Sequence, residues 1–338
     1  MRSSSLGALV LVLGLASCAW PIDDATQAAA ATPATLPACP LLQKTPELRG
    51  SARAVTLEGG KTLWLFDGAI PLGERRLPGL AVAATPTEPC QENLAVTLAF
   101  APTGVLAAAE VTPLDLVAVP GGAAAFFQAW VFDASQPFGV RNLGTGLAEF
   151  DSSQGKFVAG EGLLWPAEAP PYGGSALVLG ADLYAYGCVA SDGGWARSCH
   201  LARAPLAKRH QPTAWTYASE FAEFASDPAK SVPVLVQAGD VSVQRHGALY
   251  EALYVRPLGA EVELRRGLAP WGPFFAPRVL GRCDVAGGEF CSSPRWQPVL
   301  GVQLDHLDFV WNRSSFSALT PERARPQWTR MARPKEIP

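Results

Sequence analysis

The chain has 338 residues, 49% of them apolar, which is material for a large core. Its net charge is −3 and only 17% of residues are charged. That excludes non-specific nucleic-acid binding, which needs a basic footprint. Glycine (32) and proline (30) are abundant, as many tight turns between short strands require.

The first 17 residues read as a signal peptide. Arg2 supplies a positive start, and residues 6–15 form an apolar run too short to span a bilayer. The run ends in Leu15-Ala16-Ser17-Cys18, which resembles a bacterial lipobox, with cleavage before Cys18 and lipid attached to it. Ala19 rather than an acid follows Cys18. By resemblance to Gram-negative sorting, that implies lipid anchoring at the outer membrane, on its periplasmic or its surface face. Residues 18–38 are rich in Ala, Thr and Pro and read as a flexible tether.

From residue 39 to 338 the pattern is all-β. Alternating or apolar runs predict strands over 53–57, 62–66, 94–100, 106–119, 125–132, 146–150, 156–159, 176–179, 183–189, 241–244, 249–255 and 301–311. Gly59-Gly60 marks a hairpin turn within the first pair. Residues 218–225, with Glu220 and Glu223, read as a short helix.

Two segments repeat one another. Residues 183–189, 200–205 and 215–217 follow the same plan as 249–255, 263–266 and 268–273. Each is an alternating strand, a turn, a second strand bearing Arg203 or Arg266, then a proline turn. A repeat of this length built from short strands marks propeller blades. Roughly 290 residues at roughly 60 per blade gives about five blades, placed at 45–90, 91–140, 141–205, 206–280 and 281–330. A β-sandwich is the alternative all-β architecture.

Seven cysteines less Cys18 leave six in an exported chain, where disulfides form. Of the fifteen pairings open to six cysteines, two look local. Cys188 and Cys199 face each other across a hairpin, and Cys283 and Cys291 bracket a glycine turn. That leaves Cys39 with Cys90, a bridge that would staple the segment after the tether to the domain. The spacings are not those of a zinc site and only four histidines are present. With no phosphate loop or nucleophile elbow either, neither metal nor cofactor is expected.

Residues 60–68 (Gly-Lys-Thr-Leu-Trp-Leu-Phe-Asp-Gly), 249–255 and 262–274 resemble a family of exported five-bladed propellers labelled domain of unknown function 4185. The fold of that family is similar to that of the five-bladed glycoside hydrolases acting on arabinans and xylans. The resemblance implies a propeller axis on which acidic residues would gather. In the hydrolases the first acid precedes the first inner strand. Here that region carries Glu47 and Arg49, and the Gly-Asp expected after the first Trp-Leu-Phe strand is inverted to Asp67-Gly68.

Glycoside hydrolysis needs two carboxylates about 5–9.5 Å apart; the candidates on or beside inner strands are Glu47, Glu149, Asp240 and, less well placed, Asp67, of which Glu149 and Asp240 are carried forward. For ligand binding, Arg49, Arg141, Glu149, Asp240 and His246 are assigned to inner-strand ends or adjoining loops. This mixture suits a polyol better than a highly charged polymer. Arg203 and Arg266 are expected to pair locally on outer strands. The expectation is therefore a monomeric, lipid-anchored propeller that binds carbohydrate or an envelope protein, with a glycoside hydrolase as the alternative.

Overall fold

The computed structural model describes residues 34–36, 39–40, 52–66, 80–84, 97–98, 100–101, 106–136, 139–160, 162–190, 197–220, 223–297, 306–315 and 326–334. Their strands form five sheets. Blade I orders Ala52–Thr56, Thr62–Phe66, Leu80–Ala84 and Thr97–Leu98. Blade II orders Glu110–Val119, Gly122–Phe132, Val140–Asp151 and Lys156–Ala159, with Phe100–Ala101 laid parallel on its edge. Blade III orders Ser175–Leu179, Asp182–Ala190, Arg197–Pro205, Thr216–Ala218 and Phe224–Ala225. Blade IV orders Val241–His246, Leu249–Val255, Glu261–Gly267 and Arg278–Arg282. Blade V orders Glu289–Trp296, His306–Ser315 and Gln327–Ala332, and takes Cys39–Pro40 from the other end of the chain as its outermost strand.

The first strand of each blade lies beside the first strand of the next, from I through V and back to I. This closed ring makes the molecule a β-propeller. A blade is covered on both faces by its neighbours, so its second strand loses the alternation of a half-solvated strand. Leu63, Trp64, Leu65 and Phe66 are all at most 1% exposed, and Leu253, Tyr254 and Val255 are buried likewise. Four clusters of buried apolar side chains fill the gaps I/II, II/III, III/IV and IV/V. The predicted turn at Gly59-Gly60 uses φ values of +84° and +78°, a region open to glycine and costly for other residues.

The repeated segments prove to be the second and third strands of blades III and IV. The blade divisions differ from expectation. Residues 141–151, read as the opening of a blade, belong to the third strand of blade II. In place of a helix over 218–225, Tyr217 pairs with Ala225 and Ala218 with Phe224 as strands, with Glu220 in a 3-10 turn and residues 221–222 outside the described residues. Packing of Phe224 against Tyr184 and Trp271, with centroids at 6.3 and 5.6 Å, overrides the local helix signal.

Residues 34–36, expected at the end of the tether, are bound to blade IV instead. Leu36 N–H donates to Arg282 O at 2.8 Å, Arg282 N–H donates to Ala34 O at 2.9 Å, and the Leu36 side chain is only 4% exposed. Both local disulfides are present, Cys188–Cys199 and Cys283–Cys291. The signal peptide, Cys18, Glu47, Arg49, Asp67, Cys90 and the side chain of Cys39 lie outside the described residues.

Candidate functional site

Each inner strand is the edge of its own sheet, so one row of its backbone groups has no ladder partner. Side chains of adjacent blades fill that need at all five junctions. Between I and II, Arg53 Nε donates to Leu114 O. Between II and III, Asp115 Oδ2 accepts from Ala176 N–H at 2.7 Å. Between III and IV, Ser175 Oγ accepts from Val243 N–H at 2.9 Å. Between IV and V, Ser242 Oγ accepts from Trp296 N–H at 3.1 Å, and Arg295 Nη1 donates to Val241 O at 2.6 Å. Between V and I, Gln297 Nε2 donates to Ala52 O at 2.9 Å.

This ring borders an axial cavity of about 450 Å³. Residues 53–56, 115–118, 176–179, 242–246 and 296–297 line it from all five blades, with His306, Asp308 and Arg333. Along the inner strands burial gives way to exposure, at Thr56, Ala118 and Arg245. The cavity therefore meets solvent toward the C-terminal ends of these strands, while the ring lies among buried residues at the other end.

The carboxylates around the axis are already engaged. Burial pushes the Asp115 carboxyl above its ordinary range, although Arg295, Arg53 and two backbone N–H donors oppose this. Asp240 shows the opposite balance. Burial raises it, but Arg197, Arg295, a Ser293 hydrogen bond and Arg53 together hold it below its ordinary range. Arg197 Nη1 lies 2.6 Å from Asp240 Oδ1, and Ser293 Oγ donates to Oδ2 at 3.1 Å. Asp308 is held bidentately by Arg330 at 2.8 and 3.0 Å. Glu251, fully buried, takes Arg333 Nη1 at 2.6 Å on both oxygens and Arg266 Nε at 3.3 Å.

Of the residues expected at inner-strand ends, His246 lines the cavity at its open end, whereas Asp240 stands before the opposite, N-terminal end of the same strand of blade IV and is not among the lining residues. Glu149 and Arg141 are not at inner-strand ends, because both lie on the third strand of blade II. Burial disfavours the charge on Glu149, but hydrogen bonds from His210 Nε2 and Arg209 Nε, both 2.7 Å, hold its pKa below the usual range. Arg141 Nε is 3.4 Å from Asp133. The misplacement follows from the blade divisions, which made residue 141 the start of a blade.

The local pairing expected of Arg203 and Arg266 is observed: Arg203 stacks over Phe224 at 4.2 Å, and Arg266 meets Glu251. Sequence reasoning missed Arg53, Asp115, Ser175, Ser242, Arg245 and Gln297. The local signal at Arg53 is a charged residue between Ala52 and Ala54 in an otherwise apolar strand; Arg245, between Gln244 and His246, and Gln297, beyond the end of its strand, carry no such signal.

The architecture defines the class as a β-propeller with an axial cavity. No family model and no curated protein matches the chain. Several solved structures share its fold. A "putative hydrolase" of Bacteroides ovatus aligns over 83% of this chain and 85% of its own, with 17% identity and a TM-score of 0.63. The GH43_1 enzyme of Xanthomonas citri complexed with xylotriose aligns over 88% and 90%, with 12% identity and a TM-score of 0.52. RS223-β-xylosidase aligns over 88% and 94%, with 12% identity and a TM-score of 0.55. At these identities the likeness establishes the fold, which is that of the arabinanase- and xylosidase-type propellers.

Proposed function

We propose that this chain is an exported propeller, lipid-anchored at Cys18 to the outer membrane, that binds carbohydrate in its axial cavity without cleaving it. The observation that carries the reading is the engagement of the acids. Asp115 bridges two blades, and Asp240, Asp308 and Glu251 are each paired with arginine. The size of the cavity falls within the range typical of small-ligand pockets, about 300–1,000 Å³. Carbohydrate as the ligand class is supported by the xylotriose complex among the structures of shared fold. The label domain of unknown function 4185 stays a proposal resting on residues 60–68, 249–255 and 262–274.

Calorimetric titration of the folded domain against a panel of plant and bacterial oligosaccharides tests the reading. At least one should bind, with loss on His246→Ala. No binding across the panel would end it. Anchoring has its own test: Cys18→Ala should move the protein out of the membrane fraction, and unchanged fractionation would count against lipidation.

Glycoside hydrolysis is the second reading. It is favoured by the GH43_1 enzyme and the β-xylosidase among the structures of shared fold, with Asp115 in the cavity wall and Asp240 beside the inner strand of blade IV as the carboxylates to test. Release of reducing sugar that disappears in both Asp115→Asn and Asp240→Asn would establish it over simple binding.

A further inference from the structure

We propose that the axial cavity selects a saccharide bearing a carboxylate, a uronate unit, anchored by Arg245 at the open end. The inference rests on the carbohydrate reading above and names its ligand class. The chain as a whole carries −3 with histidine neutral, yet on the same count the cavity lining has three arginines against two aspartates. The acids present do not offset that excess. Asp308 is taken up by Arg330, which stands outside the lining. Glu251, whose two oxygens hold Arg333, serves Arg266 as well, so one carboxylate faces two guanidinium groups.

Arg245 differs from the other lining arginines. Its one side-chain hydrogen bond runs from Nε to Gly247 O, 3.1 Å away in its own hairpin. Among the described residues no acid pairs with it. Its two terminal nitrogens are thus available as a planar fork, which matches a carboxylate in a way a hydroxyl does not. His246 follows it on the same strand and lines the same cavity. Deeper in, Gln297 is 1% exposed and among the described residues its Oε1 has no partner. A buried unpaired acceptor at a cavity wall suits a sugar hydroxyl, which can donate to it. Arg245 at the mouth and Gln297 at the ring together describe a ligand with a carboxylate and hydroxyls.

The test is calorimetry on the folded domain at low ionic strength. The ligands are dimers of galacturonate, glucuronate and mannuronate, the corresponding neutral disaccharides, and acetate. One uronate dimer should bind about 10-fold or more tighter than its neutral counterpart, with the preference shrinking as salt is added. Arg245→Ala should abolish the preference, Arg245→Lys should keep part of it, and the exposed control Lys230→Ala should change neither acidic nor neutral binding. Equal binding of acidic and neutral dimers, insensitive to Arg245→Ala, would overturn the uronate assignment and leave carbohydrate binding standing. Acetate binding as tightly as any dimer would also overturn it, since the site would then recognise an anion and no sugar. Binding of no saccharide at all would remove both readings.

Discussion

Gln297 Nε2 donates to Ala52 O at 2.9 Å across 245 residues of chain. That bond completes the ring of side-chain bridges on the axis, while Cys39–Pro40 pairing with Gln327 and Trp328 joins the chain ends at the periphery. The propeller is thus closed at two radii by different chemistry. The outer closure uses backbone ladder bonds, as any sheet does. The inner closure uses a side chain, because the first strands of two blades do not share a ladder.

Gln297→Ala should therefore destabilise the fold. Ala52 is fully buried, and its carbonyl would lose this donor, at a cost of about 1–3 kcal/mol. Gln297→Glu should cost more, since it sets a carboxylate against a carbonyl. Urea unfolding checks both, and an unchanged midpoint in Gln297→Ala would show that other contacts hold the V/I junction.

Much of the architecture was legible in sequence, and the reason is local. The strands of blades III and IV repeat one another, and Cys188 and Cys199 flank a single hairpin, so short-range pattern was sufficient. His246 was legible for the same reason, standing beside Gly247 in a tight turn. The ring was not legible. Its partners are 61, 61, 68, 54 and 245 residues apart, and alternation says which residues leave a strand on one face without saying which blade they meet. Glu149 and Arg141 were misassigned because a 12-residue third strand resembles the opening of a blade as readily as its middle.

Asp115 and Asp240 should pull stability in opposite directions with pH. Asp115 has a folded pKa above its unfolded value, mainly through burial. The native state then binds more protons, and stability falls as pH rises from the unfolded pKa through the folded one. Asp240 has a folded pKa below its unfolded value, so its contribution is present above the ordinary carboxylate range and is lost as pH falls through the folded pKa. Relative to the native protein, Asp115→Asn should flatten a fall with pH and Asp240→Asn should flatten a rise. Thermal unfolding between pH 3 and pH 7 measures both slopes, and slopes of the same sign would contradict the arrangement.

The Cys188–Cys199 disulfide joins directly opposed residues of the second and third strands of blade III. In chain-entropy terms a loop of this order contributes about 3 kcal/mol. The double variant Cys188→Ala/Cys199→Ala should fold with stability lower by about 2–3 kcal/mol. Non-reducing peptide mapping should find 188–199 and 283–291 linked; free thiol at Cys188 in the native protein would exclude the first bridge.

Leu36 ties residues 34–36 to the body of the propeller. Its backbone pairs with Arg282, and its side chain enters the core between blades IV and V beside Val262 and Leu307. Gly281 leaves the room it needs, since a Cβ there would run into the Leu36 side chain and Ala34 O. Leu36→Ala should cost about 2–4 kcal/mol, the usual cost of emptying a buried leucine site. Gly281→Val should expel the segment without removing any apolar atom from it. If the segment is a clasp, both variants should expose residues 34–36 to limited proteolysis while the axial cavity keeps its affinity. Resistance to cleavage equal to the native protein in Gly281→Val would show that the contact between Leu36 and Gly281 does not hold the segment in place.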